Sequence, residues 1–300
     1  MATKNDIDFT YTKLDEIFRS SLGESADFSG ARYNGDFSLT LEQAQEAKHK
    51  FIADQLNIRQ GSRVLDMGCG WGPFLNYARK RGAVATGLTL SDGQYAACKK
   101  NGFDVYIKDV RTVTPTDFGM FDAVVSVGAF EHFCSIEDYR EGKQETIYRN
   151  FFKTVADLLP AGGKFYLQTM SFGKNMIPLD ELDINAPKDS AAHLMALMAE
   201  HFPGSWLPYE SEMILATAEP WFKLINISSG RLDYIETTRQ WRKKIRAFSF
   251  KKYGLFLRLL PALLFNKDFR AKLAVFRERA NMKCFQKEIM EHYRIVFEKI

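Results

Sequence analysis

Residues 64–72 read Val64-Leu65-Asp66-Met67-Gly68-Cys69-Gly70-Trp71-Gly72, and this stretch decides the fold. Its apolar first half predicts a short buried strand over 63–67, and a helix is predicted from about Trp71 to Arg81. The three glycines at alternate positions let the backbone turn sharply and approach a ligand closely. Asp66, at the end of the strand, can accept hydrogen bonds or orient the amides of the loop. A strand, an acid, glycines and a helix in this order predict a nucleotide-binding turn.

Alternating strand and helix patterns continue on both sides of this turn. Thr40 is a predicted N-cap, with Gln43 as its capping-box partner, for a helix over 41–56. Strands separated by helices at this spacing predict a parallel sheet with helices on both faces, which is a doubly wound, Rossmann-like α/β fold. Further strands are predicted over 83–88, 104–107, 121–127, 163–170, 221–228 and 293–299, and further helices over 91–101, 143–158 and 191–202.

The whole chain, residues 1–300, is predicted to form a single domain with a helical cap. Residues 171–218 interrupt the alternation of strands and helices, and a segment of this length is more typical of a substrate lid than of a connector. Helices are also predicted to fill roughly 235–290, and a short helical pattern lies around 14–22. We therefore expect the cap to comprise approximately residues 1–56, 171–218 and 235–290.

The composition argues against several classes of protein. The chain contains no run of about 18 apolar residues, so no membrane span is expected. The polar N-terminus does not resemble a signal peptide, so the expected location is the cytoplasm. The four cysteines and five histidines show no metal-ligand spacing, so no metal is expected. The net charge of +4 is too small to indicate a nucleic-acid partner.

The spacing of the glycines distinguishes two kinds of nucleotide loop. Dinucleotide-binding folds use G-x-G-x-x-G, whereas residues 68–72 follow G-x-G-x-G after an acid. This pattern resembles motif I of class I methyltransferases, in which the loop holds the methionine end of S-adenosyl-L-methionine. The resemblance implies that cofactor, and the loop residues expected to bind it are Asp66, Gly68, Cys69, Gly70 and Gly72.

Two further stretches are expected to complete the cofactor site. Thr89, Leu90 and Gln94 follow the second predicted strand, where a Rossmann-like fold meets the ribose. Asp109 and Val110 follow the third strand, and the Asp109 carboxylate can accept a hydrogen bond from the adenine amino group. Together with the glycine loop, these residues form the predicted cofactor site.

Four stretches together carry a narrower family resemblance, which extends from about residue 28 to about residue 241. The chain resembles the cyclopropane fatty acid synthases, and among them the mycolic acid cyclopropane synthases and methyltransferases most of all. The stretches are Thr40-Leu41-Glu42-Gln43-Ala44-Gln45, the glycine loop, Gly87-Leu88-Thr89-Leu90-Ser91 with Gln94, and Ser126-Val127-Gly128-Ala129-Phe130-Glu131-His132-Phe133.

The resemblance implies an enzyme that transfers a methyl group to a carbon–carbon double bond of a lipid or isoprenoid-like substrate. The alkene attacks the sulfonium methyl group and becomes a carbocation, from which a base removes a proton. A cyclopropane or a methyl-branched alkene results. In the family the base is a bound bicarbonate, which Cys, Glu, His and Tyr side chains and backbone groups hold.

Only two of these four side chains have counterparts at the matching positions. The family Glu corresponds to Glu131, and the family Tyr, seven residues before a Trp, corresponds to Tyr234. The family Cys falls on Ala31 and the family His on Gln168. A small anion needs donors on all sides, so both replacements argue against bicarbonate as the base. We expect Glu131, alone or through a water held by Gln168 and Tyr234, to act as the base or to stabilise the cation.

Two other functions remain open at the level of sequence. Relatives of this fold with similar Glu-His stretches methylate the nitrogen of small amines, which requires a base near neutral pKa. A catalytically degenerate S-adenosylmethionine-binding protein would also be consistent with Ala31 and Gln168. A long apolar tunnel would favour lipid methylation, whereas a small pocket with acids or aromatic rings would favour an amine.

The segment 248–270 combines basic residues with Leu and Phe. One interpretation is a set of core-packing helices with a solvated basic face. The other is peripheral contact with an anionic membrane, through which a lipid substrate would enter. The sequence leaves both interpretations open, and it does not predict the oligomeric state.

Overall fold

The computed structural model describes residues 26–202, 204–247 and 279–300, together with the isolated positions Gly254, Leu257, Leu260, Pro261 and Leu264. The helical pattern around 14–22 and most of the basic segment 248–270 lie outside the described residues. The division into one domain and a three-part cap therefore stays a prediction. Within the described part of the chain, no helix is long and apolar enough to cross a membrane.

Seven strands form one sheet, and each lies within two residues of its predicted bounds except at the start of the last strand. That strand begins at Met290, three residues before the predicted start, and it therefore includes His292. The strands are β1 (Arg63–Met67), β2 (Val84–Thr89), β3 (Asp104–Ile107), β4 (Ala123–Val127), β5 (Lys164–Phe172), β6 (Phe222–Ser229) and β7 (Met290–Lys299).

The strand order is β3-β2-β1-β4-β5-β7-β6. The five strands from β3 to β5 are parallel, as the alternating pattern predicts. The remaining part of the sheet is antiparallel, because β7 returns from the end of the chain between β5 and β6 and runs against both. The sheet is therefore mixed, and the doubly wound parallel part carries the glycine loop at the end of β1.

The helices alternate with the strands of the parallel part as predicted. The helix before β1 begins with the predicted capping box, in which Thr40 and Gln43 each accept a hydrogen bond from the backbone N–H of the other. The helices are α1 (Leu41–Gln55), α2 (Pro73–Lys80), α3 (Asp92–Lys100), α4 (Pro115–Phe118), α5 (Ile136–Arg140), α6 (Gln144–Asp157), α7 (Ala191–His201), α8 (Glu210–Ala218), α9 (Arg231–Arg246) and α10 (Ala280–Gln286).

Apolar side chains bury the sheet on both faces. Side chains of a strand point alternately to opposite faces, so neighbouring residues of β5 enter different cores. Phe165 packs with the aromatic residues of α6 in one core. Tyr166 packs in the other core with residues of α1 and α2, such as Ile52 and Phe74. Because both faces are covered, the carboxyl ends of the parallel strands are the natural place for a ligand.

Candidate functional site

A cleft opens at the carboxyl ends of β1, β2 and β4, where the strand order reverses between β1 and β4. This is the point at which doubly wound sheets bind their ligands. The cleft encloses about 1080 Å³ of empty space, its open mouth included. Nine of the ten residues predicted to bind the cofactor line it, namely Asp66, Gly68, Cys69, Gly70, Thr89, Leu90, Gln94, Asp109 and Val110.

The glycine loop needs glycine for a different reason at each position. All three glycines have positive φ angles, of +91° at Gly68, +56° at Gly70 and +80° at Gly72. A Cβ atom on Gly68 would lie 2.5 Å from the Cβ of Ala129, whereas one on Gly70 would project into open space. Gly72 is the N-cap of α2, faces Phe103 and does not line the cleft. Gly72 therefore shapes the turn, while Gly70 leaves room beside the backbone for a ligand.

The end of β2 is held rigid by a short polar network. The Thr89 hydroxyl donates to Oε1 of Gln94 over 2.7 Å and accepts from the backbone N–H of Ser91 over 3.1 Å. Ser91 in turn caps α3 by accepting from the Gln94 backbone N–H. These contacts fix the wall of the cleft where the cofactor ribose is expected.

Asp109 is positioned by its neighbour Arg111. The carboxylate accepts from the Arg111 backbone N–H over 3.0 Å and from Nε over 2.8 Å, and it also pairs with the end of the guanidinium group. Burial by itself would raise the pKa of Asp109, but these hydrogen bonds hold it below its usual value. Asp109 is therefore a charged residue whose orientation is set before any ligand arrives. Its contact with adenine stays a prediction.

A buried charged network that we did not anticipate lies in the wall of the same cleft. Lys48 Nζ lies 2.5 Å from Oδ2 of Asp27 and 2.5 Å from Oγ of Ser29, and His49 Nε2 lies 3.1 Å from the same Asp27 oxygen. Burial would raise the pKa of Asp27, but the Lys48 ammonium and the His49 hydrogen bond lower it well below its usual range. The signal for this network is the position of Lys48, which follows Leu41 and precedes Ile52 on the buried face of α1.

Asp66 stands opposite this network at the end of β1. Burial raises its pKa to about 7, although the nearby Lys48 ammonium opposes the shift. Near neutral pH this carboxyl group can therefore be either charged or protonated. A cationic ligand in the cleft would favour its charged form.

Glu131, the main candidate for catalysis, lies in a short 3₁₀ segment, Phe130–His132, directly after β4. Its Oε1 accepts from the backbone N–H of Met170 over 2.8 Å. Its Oε2 is buried and receives no hydrogen bond of ordinary geometry from the described residues. Burial raises the pKa of Glu131 to about 7, while the Met170 hydrogen bond opposes that rise.

The neighbouring His132, rather than Glu131, lines the cofactor cleft. Its Nδ1 lies 2.9 Å from the Ser205 hydroxyl, which belongs to the segment between α7 and α8. Burial lowers the pKa of His132 to about 4, so the ring is neutral at physiological pH. The sequence indicated no role for His132, and the structure places it in the wall of the cleft.

Gln168 and Tyr234 come together on one face of the β5–β7 pair, behind the cleft. The Gln168 amide donates to the carbonyl of Gly30 over 2.9 Å and accepts from the Tyr166 hydroxyl over 3.0 Å. The Tyr234 ring faces the same glycine, since a Cβ on Gly30 would lie 3.0 Å from Cδ2 of Tyr234. Their contact with a substrate stays a prediction, because neither residue lines the cleft.

The residues matching the family's bicarbonate ligands do not suit a small anion. Ala31, at the predicted Cys position, is fully buried in an apolar cluster with Trp71 and Trp241 and presents a methyl group. Gln168, at the His position, uses its carbonyl oxygen and one N–H in the contacts with Tyr166 and Gly30. Ala31 therefore offers a bicarbonate no side-chain donor, and Gln168 offers only its second N–H.

Two buried residues of β7 complete this face, and sequence reasoning missed both. His292 packs against the Tyr234 ring with 5.3 Å between ring centroids. Arg294 Nη1 lies 3.0 Å from Oδ2 of Asp233, and its Nη2 donates to the carbonyl of Ala31 over 2.7 Å. The signal that could have revealed them is their spacing, because His292 and Arg294 alternate along the strand with Met290 and Val296 and so share the face of these apolar residues.

Comparisons with known proteins agree with this geometry. A family model described as mycolic acid cyclopropane synthetase matches residues 2–256. Cyclopropane mycolic acid synthase 2 of Mycobacterium bovis is 32% identical over 242 residues, covering 79% of this chain and 78% of that protein. Hydroxymycolate synthase MmaA4 of Mycobacterium tuberculosis is 30% identical over 241 residues, covering 79% and 76%.

A solved structure, that of the cyclopropane synthase MmaA2 from Mycobacterium tuberculosis, has the same fold. It aligns with a TM-score of 0.78 at 23% identity and covers 99% of this chain and 98% of that one. The predicted class I methyltransferase fold is therefore confirmed. With the glycine loop, the Glu-His segment after β4 and these matches together, the chain belongs to the mycolic acid cyclopropane synthetase family of S-adenosylmethionine-dependent methyltransferases.

Proposed function

We propose that this protein transfers a methyl group from S-adenosyl-L-methionine to a carbon–carbon double bond of a lipid. One observation supports the proposal most strongly: nine of the residues predicted to bind the cofactor line a single cleft, beside the Glu131–His132 segment. Membership of a family that acts on mycolic acids favours a long apolar substrate. The cofactor supplies an electrophilic methyl group, and the alkene supplies the electron pair.

The residues of the cleft hold and orient the cofactor. Backbone amides of the glycine loop and the rigid end of β2 would bind its methionine and ribose portions. Asp66 also lines the cleft, and its charged carboxylate suits the ammonium group of the cofactor, whereas the Lys48 ammonium is already paired with Asp27. Cys69 is buried beside Gly87, where it fills space under the loop.

Glu131 is proposed to stabilise the positive charge that develops on the lipid. A buried carboxylate in a water-poor environment interacts with a nearby cation much more strongly than one in water does. Its Oε2 is buried without a hydrogen bond of ordinary geometry from the described residues, so its charge is poorly screened by the protein. Glu131 acts alone or through a water held by Gln168 and Tyr234, which lie together behind the cleft.

The two other functions considered from sequence have less support. Methylation of a small amine fits the Glu-His segment, but the family match and the two curated relatives favour a lipid. A degenerate binding protein would keep the same cleft and glycine loop, but the family match favours an enzyme. Whether the product is a ring, a methyl branch or a methylene group follows from how the cation is discharged.

Peripheral contact with a membrane is proposed for the segment 248–270. Three of its described residues, Leu257, Leu260 and Leu264, are about half exposed. The sequence around them contributes Lys251, Lys252, Arg258, Lys267 and Arg270. Apolar side chains that enter an anionic lipid surface beside basic residues would bring the enzyme to its substrate.

Labelled methyl transfer tests the proposed function directly. Purified protein would be incubated with S-adenosyl-L-methionine carrying a labelled methyl group and with vesicles of unsaturated phospholipid or a total lipid extract. We expect label in the acyl chains and one S-adenosylhomocysteine formed per methyl group transferred, measured by mass spectrometry. Label that appears only in water-soluble amines would contradict the proposal and favour the amine methyltransferase.

A further inference from the structure

His292 occupies a space that two glycines leave for it. A Cβ atom on Gly30 would lie 3.0 Å from Cε1 and 3.0 Å from Nε2 of the ring. A Cβ atom on Gly230 would lie 2.4 Å from its Nδ1. The ring of Tyr234 covers a third side. Any side chain at position 30 or 230 would therefore compete with the imidazole for this space.

The polar character of His292 has no structural explanation in the described part of the chain. The residue is 2% exposed, and its Nδ1 has no hydrogen-bond partner among the described residues. A buried polar atom left without a partner costs free energy, and an apolar side chain would avoid that cost. Burial lowers the pKa of His292 well below its usual value, and the cations Arg294 and Lys48 lower it further. The imidazole is therefore neutral, with a free electron pair on one ring nitrogen.

The position of His292 connects it to the candidate residues already described. It stands opposite Met170 in the β5–β7 register, and the Met170 N–H binds Glu131. The Cε1–Nε2 edge of its ring faces Gly30, which directly follows Ser29 in the wall of the cofactor cleft. The Gly30 carbonyl also accepts from Gln168. The imidazole and Gln168, which stands at the family's histidine position, therefore both contact Gly30.

We propose that His292 is the base that takes up the proton released during methylation, in place of a bound bicarbonate. This inference rests on the proposed function, because it concerns the fate of the cation formed on the lipid. The base is then a side chain of the protein, and it lies on β7, whereas the family's histidine position lies on β5.

The proposed step balances as follows. A new C–C bond forms between one alkene carbon and the methyl carbon, and the C–S bond breaks with its electron pair left on sulfur. The other alkene carbon becomes a cation. Nε2 of His292, on the ring edge that faces Gly30, accepts a proton either from the new methyl group or from a carbon next to the cation. The released C–H electron pair then closes a cyclopropane ring or forms a double bond, and the imidazolium later loses its proton to solvent.

The charged groups around His292 favour rapid return to the neutral form. Arg294 on β7 and Lys48 on α1 both disfavour a second positive charge at the ring. Asp233 on α9 is paired with Arg294, and Tyr234 on the same helix is an uncharged neighbour. Glu131 accepts from the backbone N–H of Met170, the residue opposite His292 on β5.

The test compares His292→Gln with the wild-type chain, and it uses Glu298→Gln as the control because Glu298 lies near the other end of the same strand, where it pairs with Lys223. Binding of S-adenosylhomocysteine is measured by calorimetry, and single-turnover methyl transfer to unsaturated phospholipid vesicles is measured with and without bicarbonate. We expect H292Q to bind as the wild type does and to lose about 100-fold or more in rate. We also expect its products to include a methyl-branched alcohol, since water captures a cation that no base discharges.

Several outcomes would overturn the inference. An H292Q rate within about threefold of the wild-type rate would show that His292 is not the base. A wild-type rate that disappears without bicarbonate and returns when bicarbonate is added would show that bicarbonate is the base. If H292Q does not fold, Gly30→Ala decides instead, because its methyl group crowds the ring edge while the imidazole is kept. Unchanged turnover in G30A that still binds S-adenosylhomocysteine would then overturn it. A wild-type chain inactive on every lipid would refute the proposed function itself, which is a distinct result.

NMR provides a readout that does not depend on activity. Histidine labelled in the ring reports the protonation state of each side chain in the unliganded protein. The His292 resonance, assigned by its absence from H292Q, should show a neutral ring at about pH 6, below the ordinary histidine pKa of about 6.5. A ring that is protonated at that pH would contradict its proposed role as a base.

Discussion

The Oε1 atom of Glu131 lies 2.8 Å from the backbone nitrogen of Met170 and joins the segment after β4 to the strand β5. This contact fixes the carboxylate in one orientation and leaves Oε2 buried without a described partner. The acid is therefore held next to His132, which lines the cleft, with one oxygen in a structural hydrogen bond and the other buried. Burial, which raises its pKa to about 7, makes its charge sensitive to pH in the physiological range.

Methyl transfer should consequently fall as the pH drops through about 7, because protonated Glu131 carries no charge to stabilise a cation. Glu131→Gln should reduce the rate by about 100-fold and should remove this pH dependence, since Gln cannot titrate. Single-turnover rates from about pH 5.5 to about pH 8.5 measure both effects. An E131Q chain with the wild-type rate would exclude Glu131 from the mechanism.

The same residue should make folding stability depend on pH in the opposite direction. The folded-state pKa of about 7 exceeds the value of 4.5 for an unperturbed Glu, so the folded chain holds an extra proton between these values. The stability contributed by that proton is present below about pH 4.5 and is lost as the pH rises through 7. E131Q should reduce this loss by up to about 3 kcal/mol in urea unfolding at pH 5 compared with pH 8. Burial also raises the pKa of Asp66, so Asp66 should make the same contribution to the pH dependence of stability in the wild-type and E131Q chains.

Gly70→Ala should separate cofactor binding from folding. Gly70 has a φ angle of +56° and open space where a Cβ would lie, so the substitution strains the backbone by about 1–2 kcal/mol without a clash. The added methyl group projects into the cleft and should weaken S-adenosylhomocysteine binding at least about tenfold by calorimetry.

Gly61→Ala is the control for this experiment. Gly61 has a φ angle of +82°, also has open space at its Cβ, and does not line the cleft. It should show a similar loss of stability with unchanged affinity. Equal losses of affinity in both variants would mean that backbone strain, rather than occupation of the cleft, weakens binding.

Lys48→Met should be far more damaging than Lys50→Met on the same helix. Removing Lys48 leaves the Asp27 carboxylate buried without its main cation, and the free energy of unfolding should fall by about 3–5 kcal/mol. Lys50 pairs with Asp54 at the surface, where such a pair contributes less than about 1 kcal/mol. Denaturant unfolding of both variants measures the difference. A K48M chain as stable as K50M would show that the buried pair contributes little.

The basic segment should bind anionic membranes through its exposed leucines. In co-sedimentation we expect binding to vesicles with anionic lipid and little binding to neutral vesicles. Replacing Leu257 and Leu260 together by Ser should weaken binding about tenfold, since two half-exposed leucines no longer enter the lipid. Leu224→Ser, a comparably exposed position on β6, should leave it unchanged. Equal binding to both kinds of vesicle, or to neither, would contradict the membrane proposal.

Local patterns were sufficient to predict most of the parallel sheet and the cofactor loop. The apolar strand 63–67, the alternating glycines and the capping box at Thr40 each depend on residues within a few positions of one another. Their meaning is set by backbone geometry, which any chain with the same local sequence shares. For this reason ten cofactor residues could be named, and the structure brings all of them except Gly72 to one cleft.

The antiparallel strand β7 and the contacts behind the cleft were decided only by tertiary structure. Strand pairing between β5 and β7 joins residues more than a hundred positions apart, and no local pattern encodes that choice. Asp27, Lys48 and His292 are ordinary polar residues in the sequence, and they gain their significance from burial and from partners brought together by folding. The family pattern therefore drew attention to Gln168 on β5, while the packing of Gly30, Tyr234 and β7 placed the imidazole on a different strand.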